Sequence, residues 1–111
     1  MSTIFQKIID GQIPAKKVFE NERIFAFHDI SPQAPVHLLI VPKKPITSLS
    51  EVTTEDAPLL GEILIVAKQL ADEFGITNDF RLISNCGERA GQSVLHLHFH
   101  LIGGKQLGAL V

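Results

Sequence analysis

Apolar residues recur along the chain in two rhythms, and the changes between them mark its elements. Ile4, Phe5, Ile8 and Ile9 share one helical face, with Ser2 or Thr3 as cap and Asp10-Gly11 and then Pro14 as the stop. So short a helix needs a surface to pack on, because its nucleation is unfavourable. Lys17-Val18-Phe19-Glu20 and Arg23-Ile24-Phe25-Ala26-Phe27 read as two strands joined at Asn21-Glu22. In the second, Ile24 and Ala26 oppose Phe25 and Phe27, so neither face is cleanly polar.

His28-Asp29-Ile30-Ser31-Pro32-Gln33-Ala34-Pro35 is a loop, because prolines three apart deny both helix and central strand. Val36 to Val41 is apolar except at His37 and reads as a buried central strand, which Pro42 ends. Ser48 and Glu51 have the spacing of a capping box for one helical turn. A long helix follows from about Asp56 to Phe74, with Pro58 in its first turn and Gly75 as its stop. Leu59, Leu60, Ile63, Leu64, Ala67, Leu70, Ala71 and Phe74 form its buried stripe. Phe80 to Asn85 is a fourth strand, Cys86 to Ser93 a glycine-flanked loop, and Val94 to Ile102 a fifth strand. Strands joined by short turns, with one long helix inserted, predict an α+β domain: an antiparallel sheet with helices on one face.

Composition narrows the class. The 111 residues, 45% hydrophobic and 20% charged, suit a single globular domain over 1–111 rather than a disordered chain. A net charge of -2, with no Lys/Arg run longer than two, gives no footprint for nucleic acid or a polybasic membrane patch. No apolar stretch approaches the roughly 20 residues that span a bilayer. The N-terminal segment lacks the basic region and apolar run of a signal peptide, and Cys86 is the sole cysteine. A cytoplasmic location is expected.

The candidate chemistry lies in Val94 to Gly104, VLHLHFHLIGG. In a strand, His96, His98 and His100 share one face, while Leu95, Leu97, Phe99 and Leu101 hold the other to the core. An ordinary solvated face mixes Thr, Lys, Glu and Ser, so three imidazoles alone call for a function. Zinc ligation is one possibility, since neutral imidazole is a common ligand, but no Cys-x-x-Cys or Glu-rich motif supplies further ligands. The other is nucleophilic catalysis, with the central His98 attacking and its neighbours hydrogen-bonding the reacting group. Imidazoles that donate hydrogen bonds suit an anionic acceptor such as a phosphoryl group, and the loop Cys86 to Ser93 offers glycines, backbone N–H groups and the Ser93 hydroxyl.

His96-Leu97-His98-Phe99-His100-Leu101-Ile102 resembles the signature of the histidine-triad (HIT) superfamily. Phe27 to Pro35 followed by His37, Pro42-Lys43-Lys44, Ile4-Phe5 with Lys7-Ile8-Ile9, Ile13-Pro14-Ala15 and Gly91-Gln92-Ser93-Val94 resemble its Hint branch of nucleoside phosphoramidases. The third His distinguishes the chain from the nucleotidyl-transferase branch, which carries Gln there. The resemblance covers nearly all of Thr3 to Gly104.

It implies a homodimer whose two five-stranded sheets join, a purine nucleoside monophosphate or phosphoramidate as ligand, and no cofactor or metal. His98 would be the nucleophile, with His96, His100 and His37 orienting and polarising the site. Asn85, Gly91, Gln92 and Ser93 would hold phosphate oxygens or the leaving group, and Asp29 the ribose hydroxyls. The base would lie among Ile4, Phe5, Ile8, Phe27, His28 and Ile30. Family members commonly continue past the Gly-Gly pair into a tail that influences substrate preference. Here Lys105 to Val111 follow, so the leaving group stays open. A nucleotide-binding regulator or scaffold is the rival to an enzyme, and a zinc-binding protein the third reading.

Overall fold

The computed structural model describes residues 3–110. In chain order its elements are α1 (Ile4–Ile9), β1 (Lys17–Glu20), β2 (Ile24–His28), β3 (Val36–Pro42), α2 (Ala57–Glu73), β4 (Phe80–Ile83) and β5 (Phe99–Gly103). All strand pairs are antiparallel, in the order β1-β2-β3-β5-β4. The class is therefore α+β, as the pattern predicts. After β3 the chain passes through α2 to the sheet's far edge and returns as β5 between β3 and β4. That return brings His100 beside the strand that carries His37.

Alternation along β2, β3 and β5 divides the interior in two. Ile24, Ala26, Leu38, Ile40 and Leu101 pack against Ile63, Val66, Ala67, Leu70 and Ala71 of α2. Phe25, Phe27, Leu39 and Val41 point the other way and pack against Phe5 and Ile8 of α1. The expectation of helices on one face is thus corrected: α1 and α2 cover opposite faces. The cause is visible in β2, whose two faces are both apolar, since each needs a cover to leave water.

Thr3 caps α1, its Oγ1 accepting the Gln6 N–H at 3.1 Å; the alternative cap, Ser2, lies outside the described residues. Pro58 sits in the first turn of α2, where its missing N–H costs nothing. Leu64 is 52% exposed and Val66 takes a buried place on the stripe instead. Ser48 and Glu51 form no capping box; Ser48 Oγ pairs with Ser50 Oγ at 2.8 Å. The reciprocal contact lies at the next turn, where Thr53 N–H donates to Asp56 Oδ2 at 2.9 Å.

The last two strands are shorter than the pattern predicts. β4 ends at Ile83, and β5 begins only at Phe99, where the ladder with β3 stops at the pair Ile40–Phe99. Leu95, expected on the core face, is 60% exposed, whereas Leu97 is fully buried and donates its N–H to Ile46 O at 2.7 Å. At the other end of β5, a Cβ on Gly103 would lie 2.9 Å from both Asp79 O and Ile76 Cδ1, so only glycine fits there. No helix among the described residues is long and apolar enough to cross a membrane.

Candidate active site

Of the three alternating histidines only His100 lies on a strand, yet all three gather on the α1 side of the sheet. The ring of Phe5 meets His98 edge-on with centroids 4.9 Å apart, and His96 at 6.5 Å; His98 meets His100 at 5.1 Å. They do not form a solvated face. His96 and His98 are 2% and 4% exposed, and His37 is 4% exposed. Buried imidazoles must place every hydrogen, and their partners fix which nitrogen carries it.

His96 Nε2 lies 2.7 Å from the Pro42 carbonyl and His98 Nδ1 lies 2.7 Å from the His96 carbonyl. Carbonyl oxygens only accept, so both nitrogens carry hydrogen. A neutral His98 therefore keeps its lone pair on Nε2. Ser84 Oγ donates to the His98 carbonyl at 2.8 Å and anchors this backbone to the end of β4.

A second chain of bonds runs through His37. Its Nδ1 accepts the Gln33 N–H at 3.0 Å, so its hydrogen sits on Nε2, which faces His100 Nδ1 at 2.9 Å. His100 Nδ1 is then the acceptor, and the His100 hydrogen is on Nε2. The result is one imidazole with a free lone pair beside another with a free N–H. That pairing can attack an electrophile while donating to an oxygen bound to it.

Burial disfavours the charged form of His98, His100 and His37. It pushes His98 below the ordinary imidazole range, and neighbouring His96 adds to the effect, against the bond from Nδ1 to the His96 carbonyl. Burial is also the main cause for His100, reinforced by His98 and His37, and brings it down to about 4. His37 is lowered by burial against the opposing pull of Asp29.

Asp29 Oδ2 lies 3.4 Å from His37 Nε2, and its Oδ1 accepts the Ser31 N–H at 2.7 Å. Asp29, His37 and His100 bring one ligand atom each within 4.8 Å of the others. The set does not suit a metal as bonded here. A histidine ligating through Nε2 donates its Nδ1–H to an outer acceptor, whereas His37 Nδ1 faces a donor. His96 Nε2 and His98 Nδ1 are likewise committed to carbonyls.

The remaining predicted residues divide. Asp29, Ile30 and His28 line a cleft of about 620 Å³ together with Pro32, Pro35 and His37. Ile30 is 93% exposed there, and the His28 ring meets Phe74 edge-on, on the α2 side. Phe5, Ile8 and Phe27 are interior packing beneath the histidines rather than an open slot, and Ile4 is 46% exposed. Asn85 is half-buried against Gly91, and Ser93 is exposed. Gln92 differs most from its expected role. Its Oε1 accepts the Gly87 N–H at 2.8 Å and its Nε2 donates to the carbonyls of Thr47 and Val94, so its side chain braces the loop.

Sequence reasoning missed Gln33, Pro42 and Ser84. Gln33 and Pro42 act through backbone atoms, which every residue type shares, so no side-chain signal marks them. Ser84, next to Asn85 at the end of a strand, carried a weak one.

The HIT domain model matches residues 10–107. Over 103 residues the chain is 52% identical to an uncharacterised HIT-like protein of Synechocystis sp., covering 93% of this chain and 90% of that one. The structure of a HIT family hydrolase from Legionella pneumophila is similar with a TM-score of 0.94 at 48% identity, covering 96% of both chains. A histidine triad nucleotide-binding protein from Candida albicans is similar with a TM-score of 0.82 at 31% identity, covering 99% of this chain and 86% of that one. The strand order, the histidine cluster and these matches agree, and the chain belongs to the HIT domain family.

Proposed function

We propose that the protein is a hydrolase that cleaves the phosphorus–nitrogen bond of purine nucleoside 5'-phosphoramidates through a nucleotidyl-histidine intermediate. The observation that carries this reading is the bond from His98 Nδ1–H to the His96 carbonyl, which leaves His98 Nε2 an unprotonated nucleophile. Nε2 bonds to phosphorus as the phosphorus–nitrogen bond breaks. The amine leaves with the electron pair and takes a solvent proton relayed by the exposed Ser93 hydroxyl, balanced by the proton that water gives up to solvent in the next step. Water then cleaves the nucleotidyl-histidine, releasing the nucleoside monophosphate and restoring the imidazole.

His100 Nε2–H donates to a phosphoryl oxygen throughout, where donors aimed at developing charge act most strongly. Asn85 and the backbone at Gly91 hold other phosphate oxygens. The cleft between His28 and Pro35 takes the nucleoside, with Asp29 accepting from the ribose hydroxyls and Ile30 against the base. The names of the Legionella pneumophila hydrolase and the Candida albicans nucleotide-binding protein agree with this assignment.

A homodimer belongs to the same reading. β4 is an edge strand with one side unpaired, and Leu64 and Ile65 of α2 are exposed apolar residues that a second copy would cover. A molar mass from light scattering equal to one chain would sink that part.

Turnover of AMP and GMP phosphoramidates with varied amines tests the whole, run beside His98→Asn and with EDTA present. The reading expects chelator-insensitive hydrolysis by the native protein and none by the variant. Tight AMP binding with no turnover of any amine would instead favour a nucleotide-binding regulator.

A further inference from the structure

We infer that Asp29 is a positioning residue that couples the ligand's ribose hydroxyls to the hydrogen-bond donor of His100, through the single proton that His37 has to give. This rests on the hydrolase reading above and adds a second task to the carboxylate. His37 accepts the Gln33 N–H at Nδ1 and so has one hydrogen, on Nε2. Its hydrogen bond runs to His100 Nδ1 at 2.9 Å, and Asp29 Oδ2 lies beside the same nitrogen at 3.4 Å as a more distant competitor. One N–H cannot serve both at full strength.

The choice between them decides what His100 presents to the site. When His37 donates to His100 Nδ1, the His100 hydrogen must be on Nε2, and the ring offers a donor to a phosphoryl oxygen. When the hydrogen swings to Asp29, His100 Nδ1 loses its partner. The other tautomer then becomes accessible, with a lone pair at Nε2 that repels the same oxygen.

Asp29 is built to hold the balance. The Ser31 N–H fixes Oδ1 at 2.7 Å, so the carboxylate cannot turn away and Oδ2 stays beside His37. Its side chain is 17% exposed and lines the cleft, within reach of a ligand. Vicinal hydroxyls that donate to Asp29 weaken its pull on the His37 hydrogen and so strengthen the bond that His37 already makes to His100. Ribose recognition then enters kcat as well as KM.

The experiment compares adenosine 5'-phosphoramidate with its 2',3'-dideoxy analogue, using the native protein and Asp29→Asn. Long-range nitrogen NMR of the imidazoles is recorded with AMP and with dideoxy-AMP. In the native protein, loss of the hydroxyls should lower kcat about tenfold, the size of one hydrogen bond to a charged group. In Asp29→Asn the amide oxygen keeps the Ser31 bond and an NH2 group, which cannot compete for the hydrogen, faces His37. The two substrates should then share one kcat, and only KM should respond to the hydroxyls. In the spectra, AMP should hold His100 more fully in the Nε2–H tautomer than dideoxy-AMP does.

A native kcat indifferent to the hydroxyls overturns the inference, as does an equal kcat loss in Asp29→Asn. If no phosphoramidate is turned over, the hydrolase reading falls and the spectra decide alone, an identical His100 tautomer in both complexes being the negative result. Failure of both nucleotides to bind overturns both.

Discussion

The two faces of this one sheet use the same strands for opposite purposes. On the α2 side, Ile24, Leu38, Ile40 and Leu101 are fully buried against an apolar helix stripe, and stability depends on area removed from water. On the α1 side, alternate residues of the same strands place His37 and His100 above Leu39, Phe25 and Phe27, with His96 and His98 close by. There burial takes His37, His96 and His98 out of bulk water, with His100 half-buried beside them, and leaves imidazoles rather than aliphatic groups at the centre of the face. Along β5 the two faces alternate, so a shift of one position moves from Leu101 in the α2 core to His100 in the histidine cluster.

The sharpest way to separate the faces is His98→Asn. The Asn amide can still donate toward the His96 carbonyl, so thermal unfolding should stay close to native while turnover falls by about 10⁴-fold or more. An unfolded variant would mean that the α1 face carries stability as well. The converse change is Leu101→Ala on the α2 face, next to His100. It should cost about 2–5 kcal/mol in denaturant unfolding; at temperatures where the variant remains folded, kcat should be within a few-fold of native. A kcat collapse in folded protein would show that the two faces do not act separately.

A smaller effect is expected of His100→Gln, which keeps a polar group of similar length but not the N–H directed by His37. A loss of about 10²-fold in kcat, with nucleotide affinity less affected, fits a donor that acts on the transition state. If KM alone rises, His100 is a binding group.

The mildest test is pH. His98 must be unprotonated to attack, and burial holds it below the ordinary imidazole value of about 6.5. kcat/KM should therefore survive acidification past that value, and an acid limb centred at or above it would refute the neutral cluster. Stability follows the same sign. Below about 6.5 the unfolded chain binds protons that buried His98, His37 and His100 refuse, so stability falls as pH drops toward about 4, where His100 itself titrates. His100→Gln should flatten that decline, and Leu101→Ala should leave its shape unchanged.

Much of this contrast was legible in the linear pattern. Alternation in Ile24-Phe25-Ala26-Phe27 declared two apolar faces, and the 3.6-residue rhythm from Leu59 to Ala71 declared α2. The pattern also placed the three histidines together on the side away from Leu97 and Leu101. It overextended β5 to Val94, because alternation marks extended chain whether or not a neighbour is there to pair with. Leu95 and Leu64 illustrate the same limit: an apolar residue at the right period is exposed when no element is opposite. The bonds by which Gln92 braces its loop could not be read from the sequence, because a buried amide and a ligand-facing one are the same letter.

The sequence by itself determined the α+β class, the periods of its elements and the candidate reactive groups, because side-chain spacing and chemistry are local properties. Only the tertiary structure decided which nitrogen of each imidazole holds its hydrogen. That depends on the Pro42 and His96 carbonyls and the Gln33 N–H, backbone groups common to all residues and brought to the site by the path of β3 and β5.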